Sequence, residues 1–335
     1  MSLTMSSTSF STVPAAPQAP AALRWWLLAG VAALCIAPWV VYPMFLIKLL
    51  CLALLAASVN FLIAYAGLLS FGHAMFYGSA AYVTGHVAKI WGWDGSLAIL
   101  AGVSVAAGIG LVTGFLAIRR QGIYFSMITL AFAQVVYFMA MRLPFTHGED
   151  GLQAVPRPRV LGLLETESTL VYYYVCLLAI GLGFWLIHRT VHSPFGQVLR
   201  AIRDNEPRAK SLGYKVNRYK LLAFVLSASL AGLAGSMKVL AFSLATLTDV
   251  GWGTSADALL VCIVGGLNTM LGPVVGAIVM GSMEHYLASF AEWVLIIQGL
   301  VFVVVVMLFR KGIVGQWQHL LPWAPRTAAA GKEQS

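Results

Sequence analysis

Apolar runs separated by short polar breaks fill most of the chain. A spanning helix needs about 20 apolar residues. Runs of that order extend from Arg24 to Tyr42, Met44 to Tyr65, Leu97 to Ile118, Ile123 to Met141, Leu170 to Ile187 and Leu221 to Ala245. Shorter ones follow from Ala258 to Leu267 and from Gly272 to Phe290, and Val294 to Phe309 is the last. One stretch, AGLLSFGHAMFYGSAAYVTGHV from Ala66, breaks this pattern. It is apolar enough to lie in the membrane, yet Gly67, Ser70, Gly72, Gly78 and Ser79 predict a bend leading into a further, closely packed span. Gly102, Gly108, Gly110 and Gly114 predict a small-residue face on the run from Leu97. The fold expected is all-α and polytopic, with about 10 transmembrane helices including the broken glycine-rich segment. Residues 1–22, rich in Ser, Thr, Ala and Pro, read as a disordered tail. The transmembrane domain is expected over 23–312, and a second tail over 313–335.

The exception is the polar run from His188 to Lys220. Val198, Ala201, Ile202, Ala209 and Leu212 recur at spacings of three and four, which predicts an apolar stripe on a basic helix. Gly213 stands where a left-handed C-terminal cap is expected. Such a helix is suited to docking in a groove on another protein.

Composition and charge narrow the class. With 60% hydrophobic residues, 10% charged and a mean hydropathy of +0.84, a soluble globular protein is excluded. The net charge of +9 is concentrated at helix ends and in the polar run. Anionic lipid headgroups and a partner protein are therefore the expected counterparts, not nucleic acid. Positive loops are retained inside. If both termini and residues 188–220 are inside, 15 of the 21 basic residues lie on that side, so an even number of spans is expected. Lys48 and Lys238 fall within spans, where their long stems can reach the headgroups. Asp249, Trp252 and Asp257 are expected in an outer loop, and Glu284 and His285 near the outer interface. Cys35, Cys51, Cys176 and Cys262 sit in apolar runs without CxxC spacing, as packed free thiols do.

The order Leu199, Arg200, Ala201, Ile202, Arg203, Asp204, Asn205, Glu206, then Ala209, Leu212, Gly213, and Lys220, Leu221, Ala223, Phe224 resembles the coupling loop of ABC importer permeases. More narrowly it is similar to the branched-chain amino acid permease family, the LivM-like subunits with their urea-transport relatives. Asn60 with the Gly67–Tyr82 stretch, Ile128 to Gln134, Thr146 to Leu152 and Gly266 to Pro273 continue the likeness, which covers about residues 40 to 315. Two departures stand out: His147 and Asn268 each replace a glycine of the family pattern. The resemblance implies that Arg200, Arg203, Asp204, Asn205, Glu206, Ala209, Leu212 and Gly213 engage a cleft of a separate ATPase. It further implies two ATP-binding cassette ATPase subunits, a second homologous (LivH-like) permease, an extracytoplasmic solute-binding protein and a bacterial inner membrane.

The chain carries no G-x-x-x-x-G-K-[ST] loop, and Gly108-x-Gly110 lacks the third glycine and the preceding strand. Energy is therefore expected from a partner. No nucleophile or metal-ligand constellation predicts catalysis, a metal or a cofactor. Ionisable and polar groups within spans mark transport paths, and Asn60, Gly72, His73 and Gln134 are the candidates. Two readings stay open: an ABC importer permease working by alternating access, or an autonomous channel or secondary carrier in which the basic run only sets orientation. The solute is a branched-chain amino acid, another amino acid, urea or an amide.

Overall fold

A proline opens the first long helix, as its fixed φ and missing N–H suit a helix start, and helices follow one another from there. The computed structural model describes residues 30, 32–159, 168–287, 293–308 and 312–320. The described residues up to Val41 belong to one unit, helical over 32–36 with a 3-10 turn at Ala37–Trp39. The 1–22 tail and the first part of the run from Arg24 lie outside the described residues.

In the second unit the helices are α1 Pro43–Phe61, α2 His73–Lys89, α3 Gly95–Ala117, α4 Ile123–Arg142, α5 Thr169–Val191, α6 Pro194–Asp204, α7 Glu206–Ser211, α8 Val216–Phe242, α9 Trp252–Gly265, α10 Gly272–Leu287, α11 Val294–Leu308 and α12 Gly312–Leu320. A π-helical turn, Leu62–Ala66, extends α1 and ends at Gly67, whose left-handed backbone (φ 67) closes it. Among the described residues five helices are long and apolar enough to cross a membrane: Pro43–Ala66, α3, α4, α5 and α8. Trp252–Gly265 and Ile296–Val305 are shorter apolar helices. Among the described residues the only β-type pairing is an isolated bridge between Leu152 and Ala245. This is an all-helical, multi-pass membrane protein.

The centre of the bundle is α2, α3 and α8, packed through small residues. Methyls built on Gly235, Gly232 and Gly110 would meet the Tyr77 backbone, Ala106 and Ala228 respectively, and one on Gly114 would meet Phe224. In a bilayer apolar side chains gain nothing by leaving lipid, so close backbone approach and interhelical hydrogen bonds hold helices together. Thr84 donates to Ser236 at 2.8 Å across this seam. Gly108 departs from the expected face. A methyl built on it would meet nothing within 4 Å, because it is out of step with the i+4 row through Gly102, Ala106, Gly110 and Gly114.

Other expectations are revised by the fold. Trp252 and Asp257 belong to the start of α9, not to a loop. The C-terminal segment begins as a helix, α12, with Gly312 set against Gly266. The polar run narrows to residues 192–215, since His188 to Val191 finish α5 and Val216 to Lys220 begin α8. Lys238 does not snorkel: its ammonium pairs with Asp249 at 2.6 Å, both side chains largely buried. Lys48 pairs with Glu284 at 2.8 Å, and His285 packs on Phe45. Only the Lys238 pair is withdrawn from the surface; Lys48 and Glu284 stay 39% and 50% exposed.

Candidate functional site

The basic residues 192–215 and the helix ends beneath them form one end of the bundle. Ser193 caps α6, accepting from the Gly196 N–H at 3.4 Å, and Pro194 takes the first turn. Asn205 is extended (φ −155, ψ 93), ends α6 and caps α7 by accepting from the Arg208 N–H at 3.0 Å. The single helix expected over this stretch is therefore two, because Pro207 has no N–H with which to continue α6 and the chain must restart. Gly213 has φ 85, the left-handed stop that the sequence predicts.

The apolar stripe is spent inside the chain. Ile202 (1% exposed), Ala209 (4%) and Val216 bury one another, with Val198 and Tyr219 packed alongside, and Leu199 joins the main core. Ala201 is exposed and Leu212 is 69% exposed. The surface left for a partner is thus not the stripe but its flanks, where Arg200, Arg203, Asp204, Asn205, Arg208, Leu212 and Gly213 are open to solvent.

Three contacts fasten the loop. Glu206 pairs with Lys220 at 2.5 Å through Oε2 and with Lys210 at 2.7 Å through Oε1. Burial pushes the Glu206 carboxyl up, but hydrogen bonds and charge from Lys210 and Lys220 outweigh it and hold it below the usual carboxylate range. The Arg200 guanidinium lies 5.1 Å from the Tyr65 ring centroid. Arg203 donates to the Ala64 carbonyl and, through Nε and Nη2, to Asp204 Oδ1 at 3.1 and 2.9 Å. Its aliphatic stem covers Gly67, where a methyl would meet Cγ at 2.8 Å. Both arginines therefore grip the π-helical turn that precedes the broken segment. A π-turn leaves carbonyls outside the regular ladder, and Arg203 takes one of them.

The broken segment 67–73 is held by small hydroxyls. Ser126 donates to the Leu69 carbonyl at 2.7 Å, Thr129 accepts from the Phe71 N–H at 3.3 Å, and Ser255 accepts from the Ala74 N–H at 2.7 Å. His73 is fully buried, with Nε2 2.8 Å from Ser227 Oγ, while that hydroxyl donates to the Ser58 carbonyl at 2.7 Å. The Ser227 hydroxyl thus links His73 to the Ser58 carbonyl. Its Nδ1 has no hydrogen-bond partner among the described residues. Gly72 lets α4 approach: a methyl there would lie 2.9 Å from the Thr129 carbonyl. Asn60, 4% exposed, donates to the Thr269 carbonyl at 2.9 Å and so ties α1 to the turn between α9 and α10. A cavity of about 10 Å³ beside it is lined by residues including Phe61, Met270 and Pro273, room for about one water. Gln134 stands apart, half-buried on α4. Sequence reasoning missed Ser126, Ser227 and Ser255. Their signal is faint: single hydroxyls in apolar helices, whose targets are carbonyls freed by a break elsewhere.

Residues 41–306 match the family described as branched-chain amino acid transport system / permease component. The chain belongs to that family. It is 25% identical to the high-affinity branched-chain amino acid transport system permease protein LivM of Salmonella typhimurium, over 78% of this chain and 67% of the relative. The ribose import permease protein RbsC of Bacillus subtilis is 29% identical, over 77% and 81%. The probable branched-chain amino acid transport permease protein LivH of Methanocaldococcus jannaschii is 31% identical over shorter shares, 44% and 48%. No solved structure matches the chain at a significant level. In this permease the two departures from the glycine pattern keep glycine's backbone shape: His147 has φ 58 and Asn268 φ 66. His and Asn are among the few non-glycine residues that occupy this region readily, so both turns survive the substitution.

Proposed function

We propose that this permease is the membrane-spanning subunit of an ABC importer. It passes a branched-chain amino acid or a related small polar solute inward by alternating access, with a separate ATPase docked on residues 192–215. The reading is supported above all by the grip of Arg200 and Arg203 on the turn at Tyr65–Gly67. A partner that moves α6 and α7 would move that turn, and with it the broken segment that carries His73. The side chains open to the partner are Arg208 and Leu212 at the loop tip, and the excess of cations puts this end inside. Two ATPases, a second permease and an extracytoplasmic solute-binding protein complete the assembly, and the binding protein selects the solute. The ribose import relatives make a neutral sugar the alternative cargo, so leucine and ribose are the solutes to compete.

The decisive measurement is uptake into vesicles holding the whole transporter. Leu212→Asp is expected to abolish ATP-dependent uptake while leaving the thermal unfolding midpoint unchanged, since that side chain packs on little. Arg203→Ala should keep the ATPase bound but lower uptake by about 5- to 150-fold, the usual size of a coupling between sites. Uptake by the permease alone, with no ATPase present, would establish the channel or carrier instead.

A further inference from the structure

We propose that the groove at the foot of α8 is a docking site for the headgroup of an anionic phospholipid. The groove has a volume of about 420 Å³ and is lined by Gly213, Tyr214, Lys215, Arg218, Tyr219 and Leu222. Lys215 and Arg218 are exposed, and among the described residues neither meets a carboxylate. The acids of the loop are already committed, Asp204 to Arg203 and Glu206 to Lys210 and Lys220. Two cations therefore face the groove without compensation, which selects an anion.

The groove also changes character along its length. Arg218 and Leu222 are four apart on one face of α8, Tyr219 is beside them, and Lys215 is the residue that precedes the helix. Leu222 is 61% exposed and is the second residue of the apolar run that opens at Leu221, about one helical turn beyond Arg218. The groove thus runs from the polar start of α8 to the first exposed apolar side chain of its membrane-spanning run. A cationic site that ends on an exposed leucine at the start of the apolar run fits an anionic amphiphile, with its phosphate on Lys215 and Arg218 and an acyl chain along Leu222. Tyr214 and Tyr219, with ring centroids 6.2 Å apart, flank it with the aromatic rings favoured at membrane interfaces. The site needs only that α8 crosses the bilayer, whichever protein docks on the loop.

The test is native mass spectrometry of the full-length protein released from nanodiscs of equal parts phosphatidylglycerol and phosphatidylcholine. Each basic residue near an anionic surface contributes a factor of about five, so the two together should favour phosphatidylglycerol at one site by roughly 30-fold. Lys215→Ala with Arg218→Ala should bring the ratio close to that of the surrounding lipid, while Lys215→Arg with Arg218→Lys should preserve it. If the double alanine variant does not fold, Arg218→Ala alone should lower the preference about five-fold. Equal retention of both lipids by the wild type, or undiminished preference in a folded alanine variant, would overturn the assignment. So would loss of a copurifying soluble partner from that variant with phosphatidylglycerol still bound.

Discussion

Gly235→Ala is expected to collapse the folded permease. The helices α2 and α8 approach backbone to backbone at this point, and an added methyl would fall on the Tyr77 carbonyl, 2.8 Å from its carbon. No flexible side chain stands between them to give way. The clash is relieved only if the two helices part, and parting them opens the seam that includes the bond between Thr84 and Ser236. Overpacking a core costs about 1–3 kcal/mol, and a backbone obstacle belongs at the upper end. The measurement is the unfolding midpoint in detergent together with the monodisperse yield. Gly108→Ala is the matched control, since its methyl would meet nothing within 4 Å, and it should leave both unchanged. A Gly235→Ala protein as stable as the parent would mean that α2 and α8 do not meet this way.

Glu206→Gln is expected to loosen the loop while leaving the bundle intact. The carboxylate bridges Lys210 and Lys220, and the Lys220 side chain is only 7% exposed. Removing the negative charge strands a buried ammonium, and breaking one side of a buried pair costs about 3–5 kcal/mol. The cost should appear as faster hydrogen exchange confined to α6, α7 and the first turn of α8, because local opening is read segment by segment. Adding Lys220→Met should restore most of the protection, since the uncompensated charge is then gone. Acid tests the same contact. The folded carboxyl is held below its ordinary value, so its contribution is complete above the unfolded pKa of about 4.3 and is lost as pH falls through the folded value. Loop protection should therefore be level from neutral pH to about 5 and fall below about 4. In Glu206→Gln that acid step should be missing.

The glutamine variant also changes how the coupling surface is probed. From sequence, Glu206 stands among residues implied to meet an ATPase, yet the structure commits both its oxygens to Lys210 and Lys220. A loss of uptake in Glu206→Gln would report a slack loop, whereas Leu212→Asp alters only what faces outward.

The amino-acid order alone carries the long apolar helices, the break after Ala66, the glycine stop at Gly213 and the basic loop. Each of these is a local property: apolar length, helical spacing, and a backbone shape that one residue type adopts at no cost. Only the tertiary structure decided what those surfaces meet. The stripe through Ile202 and Ala209 turned inward on Val216 instead of outward to a partner. Lys238 found Asp249, and Arg203 found a carbonyl 139 residues earlier in the chain. Periodicity tells which residues share a face, but it does not tell which distant segment will cover that face. That choice follows from close backbone approach at Gly232, Gly235 and Gly110, and from the need of each buried charge and freed carbonyl to find a partner within reach.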